Sequence, residues 1–237
     1  MKTDEEVIKH SIAYLNQNKK EFLATYTKNI EPSTDKVAIF TAGMSGVGKT
    51  ELATFLKEEN PKLLHIDTDE IREFFRPIGY NGQNSNLYQK VASRGFSELF
   101  SHSLKKGYSL IMDSNFANIE VAVLNIKRLL KKSYKIEVLY LYDYPQLCYE
   151  YATRREVVTH RKVPKDVFAR SNINSYKTVL EIKELFREEV KLTFFDNRNG
   201  NVYNNIKIDL LKSLIKLRFC ISMITLSCVM SMPQDGR

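Results

Sequence analysis

Between Asp4 and Lys28, apolar side chains fall at Val7, Ile8, Ile12, Leu15, Phe22, Leu23 and Tyr26, with polar and charged residues in the gaps. Steps of three and four put an apolar stripe along one side of a helix, so the spacing predicts one helix over 4–28. Pro32 and the small polar residues of 29–35 then read as a linker. From Val37 the pattern changes to short apolar runs: 37–42, 62–66, 108–112 and 136–142. Such runs lack the alternation of a half-exposed strand, and they are what strands buried on both faces look like. Between them lie helical stretches over 51–57, over 87–106 with Gly107 as its stop, over about 118–131, from Pro145 onward, and over 165–187. Strands alternating with helices predict an α/β domain with a mainly parallel sheet. Leu192–Phe195 and Val202–Tyr203, around Asp196–Gly200, read as a last strand and turn, and 210–217 as a closing amphipathic segment.

The expectation is therefore a three-layer α/β fold with five mostly parallel strands. An N-terminal helix and linker occupy 1–35, the main domain 36–218 and a tail 219–237. The tail's apolar stretch, Phe219–Met230, is shorter than the roughly 20 residues of a membrane span, and the N-terminus has no signal-peptide pattern. Cys148, Cys220 and Cys228 form no C-x-x-C pair, which argues against a disulfide framework or a zinc site and for a reducing cytoplasm. The net charge of +8 suits an anionic ligand, either a nucleotide or nucleic acid.

The run 37–42 changes this picture, because Gly43-Met44-Ser45-Gly46-Val47-Gly48-Lys49-Thr50 follows it and a helix follows that. This is the strand–loop–helix setting of G-x-x-x-x-G-K-T, a phosphate-binding loop. Glycines let successive backbone N–H groups curl around an anion, and the next helix points its positive end at the same place. Lys49 then reaches the β- and γ-phosphates, and the Thr50 hydroxyl takes one position on Mg²⁺. The chain has 9 glycines, and three of them, Gly43, Gly46 and Gly48, lie in this loop.

Two later strands end in acids: Asp67 and Asp69 after 62–66, and Asp113 with Ser114 and Asn115 after 108–112. Strand ends on that edge of an open α/β sheet are where ligands bind, although Asp67 or Asp69 also suits a plain helix cap. Six basic groups, Arg154, Arg155, His160, Arg161, Lys162 and Lys165, lie between 154 and 165. They read as a solvated basic helix end, or as a helical lid whose arginines close on transferring phosphates.

With these residues placed, the chain resembles the zeta-toxin family of P-loop kinases over roughly Val37 to Tyr203. The motifs that carry the likeness are Gly43–Thr50, the D-x-D-x-x-R of Asp67, Asp69 and Arg72, and Asp113-Ser114-Asn115. Arg155 with Arg161-Lys162-Val163-Pro164, and Phe195-Asp196-Asn197, complete them. The resemblance implies a toxin of a toxin–antitoxin pair that uses Mg-ATP to phosphorylate a hydroxyl of a sugar nucleotide such as UDP-N-acetylglucosamine. It implies Asp69 as base and Arg155 and Arg161 as phosphate clamps beside Lys49. It also implies Asp67 beside Thr50 at the metal, and Asp69, Arg72, Asp113 and Asn115 on the acceptor side. Two positions depart from the family: Asp113-Ser114-Asn115 stands where Glu-Gly-Thr is frequent, and Ala117 or Asn118 where an arginine can follow. No Asn-Lys-x-Asp guanine-reading motif follows the loop, which favours ATP over GTP. The alternatives are another small-molecule or polynucleotide-end kinase, and an inactive nucleotide-binding regulator. Asp69 speaks against the regulator, and the lack of an aromatic platform among the basic residues speaks against nucleic acid.

Overall fold

The computed structural model describes residues 3–159 and 164–215. The predicted tail over 219–237 and the end of the closing segment, 216–217, lie outside these residues. Two helices open the chain, α1 (Asp4–Gln17) and α2 (Lys19–Thr27). The expected single helix is thus two, broken at Asn18. Asn18 leaves helical geometry with φ −102° and ψ 20°, and its side-chain amide donates to the Tyr14 carbonyl at 2.9 Å. A side chain that competes for its own helix's carbonyl ends the helix without any Pro or Gly.

The elements that follow are β1 (Val37–Ala42), α3 (Lys49–Glu59), β2 (Leu64–Asp67), α4 (Thr68–Glu73), α5 (Ser85–Lys106), β3 (Leu110–Asp113) and α6 (Ile119–Leu130). Then come β4 (Lys135–Tyr142), α7 (Pro145–Thr159), α8 (Lys165–Phe186), β5 (Val190–Asp196) and β6 (Asn201–Tyr203), with residues 208–215 helical beyond them. The sheet order is β2-β3-β1-β4-β5-β6. Neighbours are parallel except β5 and β6, which form an antiparallel hairpin. Six strands replace the expected five. The sixth is only three residues long, too short to show a period of its own in the sequence.

Alternate residues of the central strands divide between the two faces, as the pleat requires. Ile39 and Ile111 turn to α3, where they pack with Ala53 and Leu56. Ala38, Phe40, Leu110 and Met112 turn to the larger core on the other side. The N-terminal helices join that core through Leu15 and Phe22, and they reach it across helices rather than directly on the sheet. Phe22 stacks edge-on against Phe74 at 5.1 Å and Tyr14 against Phe75 at 6.2 Å, just beyond α4. The Tyr26 hydroxyl donates to the Glu70 carbonyl of α4 at 2.9 Å. No described helix is long and apolar enough to cross a membrane.

The strand order sets the position of the site. From β1 the chain crosses over β3 to the edge strand β2, and β4 lies on β1's other side. The order therefore reverses at β1. The crevice outside the carboxyl ends of β1, β3 and β4 is where ligands bind in open α/β sheets.

Candidate functional site

A cleft of about 920 Å³ opens at that reversal. Ser45, Gly46, Val47, Gly48, Lys49 and Thr50 form its floor, Asp67, Asp69, Asp113 and Asn115 one wall, and Arg155 part of its mouth. Local sequence and long-range contacts build the floor together. The loop's Gly43 N–H donates to the Ser175 hydroxyl of α8 at 2.9 Å, and the Asn197 amide donates to the Val47 carbonyl at 2.9 Å. Gly43 and Met44 are themselves buried, so they shape the loop without lining the cleft. Gly48 is the N-cap of α3, with φ +96° and nothing within 4 Å of where a Cβ would stand. Lys49 curls back so that Nζ donates to the Met44 carbonyl at 2.7 Å. Burial pushes its ammonium down to about 8, with Asp113 pulling in the opposite direction.

The acidic wall is more connected than its sequence motifs suggest. Asp67 and Asp113 are paired positions on neighbouring strands. Asp67 does cap α4, accepting from the Asp69 N–H at 2.9 Å, while also facing the cleft. The cap and the site are therefore one residue. Burial, then the charge of Asp69, raises its pKa to about 6. Asp113 accepts from the buried Thr41 hydroxyl at 2.8 Å. Burial opposes its ionisation, but His65, Thr41 and Thr50 beside it, and the charge of Lys49, hold it below the ordinary carboxylate value.

Beside Asp113 lies His65, a side chain that the sequence motifs do not single out. It is 1% exposed, with Nδ1 3.2 Å from Glu70 Oε1 and Nε2 3.9 Å from Asp113 Oδ2. The second distance is an ion-pair contact rather than a hydrogen bond. Burial works against a charged ring, yet Asp113 and Glu70 together push its pKa up to about 9. A polar residue inside the apolar run Leu63–Ile66 was its only signal.

Asp69 is one third exposed to the cleft, and its carboxylate is paired with the Arg72 guanidinium. Arg72 is 1% exposed and does not line the cleft. It lies behind Asp69, its guanidinium donating on the other side to the side-chain amide oxygen of Gln89 on α5. Gln89 itself faces the cleft, as do Asp143, Tyr151 and Ser171, none of which the sequence motifs single out. Arg155 sits on α7, exposed at the cleft, whereas Arg161 lies outside the described residues. Asp196, in the predicted turn motif, is buried and holds Arg198 through two contacts of 2.6 and 2.7 Å. That guanidinium lies 4.6 Å over the Tyr142 ring, so the motif braces the loop that carries Asn197.

The residues present fit a bound nucleotide triphosphate: open space in front of Gly48, the N-terminus of an 11-residue helix and a retracted lysine. Among the described residues no group of three His, Cys, Asp or Glu could hold a metal ion. A divalent cation here would therefore take one or two ligands from Thr50, Asp67 and Asp113, and the rest from phosphate and water. That is how Mg²⁺ is usually held.

The zeta toxin family profile matches residues 21–208. Among solved structures, the chain is similar to one from the PezAT chromosomal toxin–antitoxin system of Streptococcus pneumoniae, with 19% identity and a TM-score of 0.68. The likeness covers 90% of this chain and 89% of that one. It is also similar to the AvrRxo1-ORF1:-ORF2 structure with ATP, with 11% identity and a TM-score of 0.58, over 85% of this chain and 66% of that one. At these identities the structural likenesses speak for the fold. No curated protein matches the sequence.

Proposed function

From the premise that the chain belongs to the zeta-toxin family, we propose that it transfers the γ-phosphoryl group of ATP to a hydroxyl of a small acceptor. A sugar nucleotide such as UDP-N-acetylglucosamine is the acceptor that the family reading favours. One observation carries the proposal beyond nucleotide binding. The Asp69 carboxylate, oriented by a buried arginine, faces the same cleft as Lys49 and Thr50. A regulator that merely bound nucleotide would have no use for a carboxylate held there.

The roles then follow from position. Loop N–H groups and Lys49 bind and orient the phosphates, and Arg155 adds positive charge where the transition state spreads its negative charge. Asp69 orients the acceptor hydroxyl and accepts its proton, a task that needs no strongly raised pKa when proton transfer comes late. Arg72 and Gln89 fix the Asp69 rotamer, while Asn115 and Gln89 offer neutral hydrogen-bonding groups on the acceptor side. Mg²⁺, when bound beside Thr50, Asp67 and Asp113, would neutralise phosphate charge. The pairing of a toxin with an antitoxin in the pneumococcal relative supports an antitoxin partner for this chain.

The test is incubation with labelled ATP and a panel of sugar nucleotides, nucleosides and oligonucleotide 5′ ends, using wild type and Asp69→Asn. The expected result is label on a sugar nucleotide with wild type alone, and Mg-ATP binding by both. Label confined to nucleic-acid ends would refute the acceptor assignment. Equal transfer by Asp69→Asn would make Asp69 a helix residue and place the base elsewhere.

A further inference from the structure

The turn after β5 is held from several sides at once. The Asp196 and Arg198 side chains are each 2% exposed and paired through two contacts, and Arg198 lies over the Tyr142 ring of β4. Between them, the Asn197 N–H donates to the Tyr142 carbonyl at 2.9 Å. The Asn197 side chain is thereby aimed at the phosphate-binding loop, where Nδ2 donates to the Val47 carbonyl at 2.9 Å. That carbonyl shares a peptide unit with the Gly48 N–H. No described peptide bond is cis, and across a trans unit C=O and N–H point in opposite directions. Holding the Val47 carbonyl therefore holds the Gly48 N–H, and Gly48 lines the cleft. Gly48 does not fix the unit by itself. Its φ is +96°, nothing lies within 4 Å of where a Cβ would stand, and glycine adopts the opposite sign of φ about as readily. A turn of this one unit would offer an anion a carbonyl oxygen in place of an N–H.

We propose that Asn197 is a positioning residue for nucleotide binding: its amide fixes the Val47–Gly48 peptide so that the Gly48 N–H is kept for phosphate. The inference rests on the functional reading above and deepens it at the phosphate subsite. The other bonds to the loop hold different groups, Ser175 the Gly43 N–H and Lys49 the Met44 carbonyl. The Lys49 bond breaks when its ammonium meets phosphate, whereas the Asn197 bond can persist. Being neutral, the amide constrains the loop without adding charge beside the nucleotide. Its effect on affinity runs through the population of the competent loop, because the apparent Kd rises as that fraction falls. The net contribution of one hydrogen bond bounds the change at about 2- to 10-fold.

The experiment titrates wild type and Asn197→Ala, as full chains, with Mg-ATP and with Mg-tripolyphosphate by calorimetry. Thermal unfolding supplies the folded fraction, so that affinities are taken per folded molecule. Both affinities should fall by the same factor, about 2- to 10-fold. A loss for ATP alone would mean that Asn197 touches the nucleoside directly, and it overturns the positioning role. Unchanged affinities with only a lower melting temperature would make the bond a structural tie, and they overturn it too. A second signature needs no nucleotide. The chain has 9 glycines, so ¹⁵N-glycine labelling gives few signals, and Gly48→Ala identifies that of Gly48. The Gly48 N–H should give one sharp signal in wild type that moves on adding tripolyphosphate. In Asn197→Ala it should be broadened or split before any is added, and an unaltered signal overturns the proposal. If wild type binds neither compound, the phosphate site fails and this role with it. If binding behaves as expected but wild type labels no acceptor, the transfer reading fails alone and the positioning of the loop stands.

Discussion

Gly46 and Gly48 belong to the same motif and both hold a positive φ, +78° and +96°, yet their replacement by alanine should have different consequences. A Cβ at Gly46 would lie 2.2 Å from the Cys148 carbonyl oxygen and 3.0 Å from the Ala152 nitrogen. Both are backbone atoms of α7, so no rotamer change relieves the clash, and helix or loop must move. A Cβ at Gly48 meets nothing within 4 Å. Each alanine costs about 1–2 kcal/mol for the left-handed backbone, less about 0.4–1 kcal/mol for the stiffer unfolded chain. Overpacking adds about 1–3 kcal/mol at Gly46 alone. Gly48→Ala should therefore lose about 1 kcal/mol and Gly46→Ala about 2–4 kcal/mol. For a chain of 237 residues, the gap of about 2 kcal/mol corresponds to roughly 4–8 °C in melting temperature. Calorimetric unfolding of both variants without nucleotide reads it directly. Because α7 carries Arg155 and Tyr151, Gly46→Ala should also slow turnover. Indistinguishable melting temperatures for the two variants would refute the close packing of α7 on the loop.

Other expectations follow from the site. Lys49→Ala should remove the cation that meets the phosphates, and isothermal calorimetry should show a large loss of Mg-ATP affinity; unchanged binding and turnover would refute the loop's role. Arg155→Ala should lower kcat on the order of 100-fold, with a smaller effect on ground-state binding, and a wild-type kcat would make it a solvated surface charge. His65 gives a pH dependence of stability. Its folded pKa, about 9, lies above its ordinary 6.5. The stabilisation from the charged ring is thus complete below pH 6.5 and lost as pH rises through 9, an effect on the order of 3 kcal/mol. Denaturation of wild type and His65→Gln across that range should show their difference shrinking with rising pH, and a constant difference would contradict the charged ring.

What the sequence conveyed depended on how local each device was. The loop Gly43–Thr50 was legible because its backbone demands are met by its own glycines and the helix that follows. Asp69 and Arg72 were legible only as members of the D-x-D-x-x-R motif; their ion pair and the burial of Arg72 behind Asp69 were not. His65 and Ser175 were not legible as parts of the site, and Asn197 was legible only as a motif residue, without its bond to Val47. Each acquires its role from a partner on another strand or helix, and nothing in the neighbouring residues announces that partner. The break at Asn18 was hidden because it depends on one side-chain amide choosing a carbonyl. The strand Asn201–Tyr203 was hidden as a partner for β5 because three residues carry no periodicity.

The bonds that fasten the phosphate-binding loop also set a time for its maturation. Gly43 is anchored by a residue 132 positions later, and Val47 by one 150 positions later. On the ribosome, where the chain grows at about 5–20 residues per second, those anchors arrive roughly 7–30 seconds after the loop has been made. Until then the glycines that make the loop useful leave it unsupported, with neither α8 nor the turn after β5 to hold it. The loop's full set of anchors is thus deferred until synthesis has passed Asn197, and a chain interrupted before that point would carry the loop without them.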